Sequence, residues 1–132
     1  MIQIPRDIVD AIVRQALAEL PNEACGLLAG NEKTVENHFV MANVDSSPEH
    51  FSFDPVQQFQ VLRTARKAGQ KIIASYHSHP STPARPSQED IRLAYDPDIL
   101  YLILSLAEEK PVLKAFRIQN GYGVEDSINL VD

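Results

Sequence analysis

Residues 98–106, DILYLILSL, are the most hydrophobic run in the chain. The run is far shorter than the roughly 20 residues that cross a bilayer as a helix. It reads instead as a central β-strand, and that reading calls for a sheet with helices packed on it. The rest of the pattern supplies them. PRDIVDAIVRQALAEL (5–20) repeats Ile8, Ile12, Ala16 and Leu20 at helical spacing, with Val9, Val13 and Leu17 beside them. Pro5 suits its first turn and Pro21 stops it. PVQQFQVLRTARKAG (55–69) is a second helix, with Pro55 at its start, Val56, Phe59 and Leu62 expected inward, and Gly69 at its end.

The apolar stretch EACGLLAG (23–30) reads as a buried strand, and KTVENHFVMANV (33–44) as the next strand of a hairpin. Residues 45–50, Asp-Ser-Ser-Pro-Glu-His, are a loop by composition. KIIASYHSH (71–79) begins as an apolar strand, PSTPARP (80–86) is a stiff loop, and SQEDIRLAY (87–95) opens as a short helix. PVLKAFRIQNGYGVED (111–126) reads as a further strand and a turn. Helix and strand segments are mixed, so the class is α/β or α+β with helices packed on a sheet. A length of 132 residues suits a single domain over 1–132.

A composition of 44% hydrophobic and 23% charged residues is that of a globular chain and not of a disordered one. The net charge is −6, from 12 Lys and Arg against 18 Asp and Glu, and no basic run occurs. That balance disfavours general binding to nucleic acid or to anionic membrane. Arg6, Asp7 and Asp10 interrupt the apolar amino terminus, which therefore does not read as a signal peptide. The lone Cys25 cannot form an internal disulfide. A cytoplasmic protein is expected.

Chemistry concentrates in YHSHPSTPARPSQED (76–90). On a strand, His77 and His79 point to one face, with Ser78 on the other. Two imidazoles so placed can converge on one ion. Asp90 follows eleven residues after His79, in the first turn of a helix that Ser87 would cap. Such a turn can fold back and bring its carboxylate to the histidines. Two histidines and an aspartate are ligands of the kind zinc takes, and three protein ligands plus water is the catalytic pattern. The water's proton needs an acceptor. Glu23, at the head of an apolar strand after a Pro-Asn break, is the best candidate, since Glu32, Glu36 and Glu49 sit in solvated contexts.

Plainer readings exist for each residue. Ser87 and Asp90 match the [ST]-x-x-[DE] capping pattern, which alone accounts for both. An isolated H-x-H is common in proteins without metal. Cys25 reads as a small core residue, and His38 and His50 as surface residues. Tyr76, Phe51 and Phe53 fit equally a substrate path or a core.

The combination is more specific than its parts. HSHP, six residues, then SQED gives H-x-H-P-x(6)-S-x-x-D, and EACG stands upstream. Together these resemble the JAMM, or MPN-plus, metalloprotease family over about residues 3–120, with no departure at any core position. The resemblance implies a mixed, curved β-sheet flanked by helices, related to the cytidine deaminases. It implies one zinc ion per chain, with His77, His79 and Asp90 as ligands. Glu23 would be the general base and Ser87 the donor to the oxyanion. It further implies hydrolysis of a peptide or isopeptide bond after the Gly-Gly terminus of a ubiquitin-like or sulfur-carrier protein. The short chain resembles the compact prokaryotic members, whose loop before the second helix is similar to residues 43–55, which close on HFSFDP. An extended Gly-Gly tail is expected to add as a strand beside an exposed sheet edge. The other class to weigh is a non-catalytic MPN-type binding module that docks a ubiquitin-like tail or a partner protein. Such modules usually lack a ligand, and here none is lacking. A deaminase would need H-x-E and P-C-x-x-C, which a chain with one cysteine cannot supply.

Overall fold

A computed structural model describes residues 1–132. The elements run β1 (Ile2–Pro5), α1 (Arg6–Ala18), β2 (Cys25–Asn31), β3 (Thr34–Met41), α2 (Pro55–Lys67), β4 (Lys71–His79), α3 (Gln88–Arg92), β5 (Leu100–Ser105), β6 (Val112–Gln119), β7 (Tyr122–Asp126) and β8 (Ile128–Val131). All eight strands form one sheet, in the order β7-β6-β5-β4-β2-β3-β1-β8. The sheet is mixed, curved and covered by helices, as the resemblance implied. No helix is long and apolar enough to cross a membrane.

DILYLILSL becomes β5, parallel to β4 and antiparallel to β6. Its continuous hydrophobicity follows from burial on both faces. Leu100, Leu102 and Leu104 pack on one side with Ile12 and Ala16 of α1. Ile103 packs on the other with Ala84, Phe116 and Ile118. The second face also carries Cys25, Leu27 and Met41 under Val61 of α2. Cys25 is a core residue, as expected.

Several boundaries differ from the sequence expectation. Pro5 is the residue before α1, with extended backbone (φ −59°, ψ 139°), and not part of its first turn. Val56, Phe59 and Leu62 of α2 are exposed, because the helix lies on Val61 and Ala65. α3 spans only Gln88–Arg92. Residues 111–126 make two strands, β6 and β7, joined at Asn120-Gly121, where both residues have positive φ (52° and 79°). That is the geometry of a tight hairpin turn, and Asn-Gly is its preferred dipeptide. β1 and β8 were not expected. They are parallel partners, and the amide of Ile2 donates to the carbonyl of Ser127 at 3.0 Å. Ser127 is also the one residue between β7 and β8, the two strands at opposite ends of the sheet order. The sheet therefore curls until its margins meet there.

Candidate metal centre

β4 is held between β2 and β5, with Cys25 opposite His77 on one side and Ile103 and Ser105 opposite His77 and His79 on the other. This pairing fixes both histidines on the face that carries α2, and both are buried. Ser78 faces away. Its hydroxyl accepts the amide proton of Ala24 at 2.8 Å, and its own amide donates to the carbonyl of Ala24 at 2.9 Å. The middle residue of HSH thus fastens the chain next to Glu23, a role the spacing alone did not show.

The proline-rich loop is strapped to the sheet. The Ser105 hydroxyl donates to the Thr82 carbonyl at 2.6 Å, Ala84 is buried, and His79 Nδ1 donates to the Pro83 carbonyl at 2.9 Å. The loop delivers α3 to the histidines. Ser87 Oγ accepts the amide of Asp90 at 3.0 Å, and Asp90 Oδ2 accepts the amide of Ser87 at 2.9 Å, a reciprocal capping box. The capping reading is therefore correct, and it does not exclude the other. The same Asp90 Oδ2 lies 3.1 Å from His77 Nε2 and 3.0 Å from His79 Nε2, and the two Nε2 atoms are 3.1 Å apart.

This donor set fits a zinc-type cation. Because a carbonyl only accepts, His79 carries its proton on Nδ1 when neutral and turns the Nε2 lone pair inward. A carboxylate oxygen also offers only lone pairs. Ligand bonds of about 2.0–2.1 Å in a tetrahedron place the donors about 3.3–3.4 Å apart. The observed triangle is within a few tenths of an ångström of that. Burial keeps the His77 ring below its ordinary pKa and thus neutral, as a ligand must be. Burial works to raise the Asp90 carboxyl, but with no ion between them His77 and His79 can carry protons on Nε2, and the hydrogen bonds they then donate outweigh burial and hold the carboxyl well below the usual range.

Glu23 is buried beside this cluster, and its Oε1 has no hydrogen-bond partner in the protein. Burial pushes its carboxyl up to about 8; His79 opposes that shift and Asp90 adds to it. An unpartnered buried carboxylate oxygen is costly, and a catalytic role or a bound water or ion is among the things that account for one. All five residues singled out from the sequence, Glu23, His77, His79, Ser87 and Asp90, thus meet at one end of β4.

The aromatic residues separate. Phe51 stacks on His77, with ring centroids 4.6 Å apart and planes at 26°, and Phe53 packs against Phe51 at 5.4 Å. Tyr76 lies on the opposite face of β4, fully buried, its hydroxyl donating to Gln15 at 2.5 Å. His38 was expected at the surface. It is half-buried instead, with Nε2 2.6 Å from the Tyr76 hydroxyl, because β3 is long enough to carry it over the sheet face. His50 is exposed and paired with Asp45 at 3.0 Å. The expected strand addition at a sheet edge has no edge at the site. β4 is flanked on both sides, and the free margins, β7 and β8, lie three and four strands away.

Comparison with known proteins defines the class. Residues 5–119 match the model of the prokaryotic homologs of the JAB domain. The chain belongs to that family. It is 36% identical over 132 residues to the CysO-cysteine peptidase of Mycobacterium tuberculosis, covering 98% of this chain and 90% of the relative. It is 35% identical over 95 residues to a "Probable TtuB-protein conjugate cleaving protease" of Thermus thermophilus, covering 71% and 64%. Among solved structures, protein DSY2949 of Desulfitobacterium hafniense superposes with a TM-score of 0.92 at 45% identity, covering 100% of this chain and 94% of that one.

Proposed function

We propose that this protein is a zinc peptidase that hydrolyses the amide bond after the Gly-Gly terminus of a ubiquitin-like or sulfur-carrier protein, working in the cytoplasm as one domain. The observation that carries the reading is the convergence of three donor atoms beside a buried carboxylate that nothing else engages. The relatives named as a CysO-cysteine peptidase and a TtuB-conjugate protease support the substrate class. His77 Nε2, His79 Nε2 and Asp90 Oδ2 would hold the ion. When bound, zinc supplies a water of lowered pKa and polarises a carbonyl.

The chain's own residues do the rest. Glu23 takes the water's proton through Oε1 and passes it to the leaving amine. A nearby cation favours the ionised form this needs. Ser87 serves twice without conflict. Capping uses a lone pair on Oγ, so the hydroxyl proton stays available to an oxyanion. Buried His77, packed under Phe51, keeps bulk water from that side of the site.

The test is direct. The protein is stripped of metal, reloaded with zinc and offered carrier-protein fusions that end in Gly-Gly before a cleavable partner. About one zinc per chain, as a three-ligand catalytic site requires, and zinc-dependent release of the partner are expected. Less than about half a zinc per chain on that basis would defeat the proposal, and full loading without cleavage of any fusion would return the binding-module reading. Ser87→Ala should lose both functions of the hydroxyl: about 1 kcal/mol of stability from the cap and roughly 100-fold in kcat from the oxyanion donor. A loss of stability alone would confine Ser87 to capping.

A further inference from the structure

Glu23 stands before β2, so no sheet ladder fixes its backbone. Two contacts do. Its amide donates to the Ser47 carbonyl at 2.8 Å, and its carbonyl accepts Asn43 Nδ2 at 3.0 Å. Asn43 then spends the rest of its side chain on the loop that follows β3. Nδ2 also donates to the His50 carbonyl at 3.1 Å, and Oδ1 accepts the amides of Asp45 at 3.1 Å and Ser52 at 3.3 Å. A carboxamide has two donor protons and two lone pairs, and all four are engaged by main chain. Phe51 lies between His50 and Ser52, the two residues so held, and it is the ring stacked on His77. An asparagine that only closed its own loop would need the three loop bonds. The fourth, to the Glu23 carbonyl, ties that loop to the main chain that carries the carboxylate.

We propose that Asn43 is a positioning residue for Glu23: its carboxamide holds the main chain of the base in register with the loop that roofs His77. This rests on Glu23 being the base. Small displacements of a reacting group lower rates steeply. Asn43 makes no hydrogen bond to His77, His79 or Asp90, so its removal leaves the three donors on β4 and α3 in place.

The experiment uses Asn43→Ala and, because the loop itself can loosen in that variant, Asn43→Asp, which keeps an acceptor and removes both donors. Each is assayed zinc-loaded, on the wild-type and the Glu23→Asp backgrounds, with amide hydrogen exchange followed at Glu23. In the wild-type background kcat should fall about tenfold or more, with KM within about twofold and zinc per chain unchanged, and the Glu23 amide should exchange faster. On Glu23→Asp, whose carboxylate is already withdrawn, the same change should cost less than about twofold, since residues that act through one another are not additive. An equal fold-loss on both backgrounds would overturn the proposal, as would an unchanged kcat or a loss confined to KM. The base assignment stands or falls separately: Glu23→Gln with wild-type turnover removes it, whatever Asn43 does.

Discussion

Glu23→Gln should bind zinc as the wild-type protein does and turn over substrate at least about 100-fold more slowly, the lower bound for loss of a well-placed general base. The change is nearly isosteric. The proposed ligands sit on β4 and α3, while Glu23 sits ahead of β2, so loading should persist. What disappears is an oxygen able to take a proton. The same variant carries a second, independent signature without metal. Burial raises the Glu23 carboxyl from 4.5 to about 8, so between those values the folded state keeps a proton that the unfolded chain has released. Stability linked to this group is full below the ordinary value and is lost as pH rises through the folded one. Glutamine does not titrate. In chelator, the melting temperature of Glu23→Gln should therefore gain on the wild type between pH 5 and pH 8, values chosen near the two ends of that window. Parallel melting curves across that range would mean the carboxylate is solvated in solution, and retained turnover would remove it from the base role.

Gly26→Ala should be among the most damaging changes outside the metal ligands. Gly26 faces Tyr76 across the β2–β4 pair. A Cβ at that position would stand 2.2 Å from the Tyr76 ring carbon Cζ and from its hydroxyl oxygen. The ring cannot step aside freely. It is 1% exposed, and its hydroxyl is held by Gln15 and His38. Overpacking of this kind costs about 1–3 kcal/mol, to which loss of the hydroxyl's partners adds. For a chain of this size that is a fall of roughly 5–15 °C in Tm. Tyr76→Leu should relieve the clash, so the double variant should be distinctly less damaged than the sum of the two singles. A Tm within about two degrees of wild type, too small for any overpacking cost, would show that the tyrosine repacks. The glycine in EACG is thus explained by a tyrosine on the neighbouring strand.

What could be read from the sequence was what repeats locally. Leu100, Leu102 and Leu104 alternate with Ile103 and Tyr101, and α1 shows its stripe, because burial of one residue predicts burial of the next in phase. The convergence of His77, His79 and Asp90 was legible because their spacing has few other uses. β1 and β8 were not legible. Each has only four residues, and they are strands because they pair with one another across the whole chain. Phe59 and Leu62 were misplaced for a related reason. α2 is apolar on more than one side, and only the packing of Val61 and Ala65 shows which side turns inward. Asn43 and Ser78 were invisible as contributors. Each looks like an ordinary small polar residue, and its partner lies twenty or more positions away.

The shortness of α3 has a thermodynamic consequence. A helix of five residues with no fully buried side chain is far below the length at which helices persist unaided. Its first turn is held by Ser87 and Asp90, and Asp90 is also one of the three residues proposed to hold the ion. On the proposed assignment of Asp90 as a ligand, loading the ion and ordering this segment are a single equilibrium, so the dissociation constant for zinc would contain the free energy of folding α3. Metal affinity would then be tuned from the far end of a small helix, at Ile91 or Arg92, without altering any atom proposed to bind the ion.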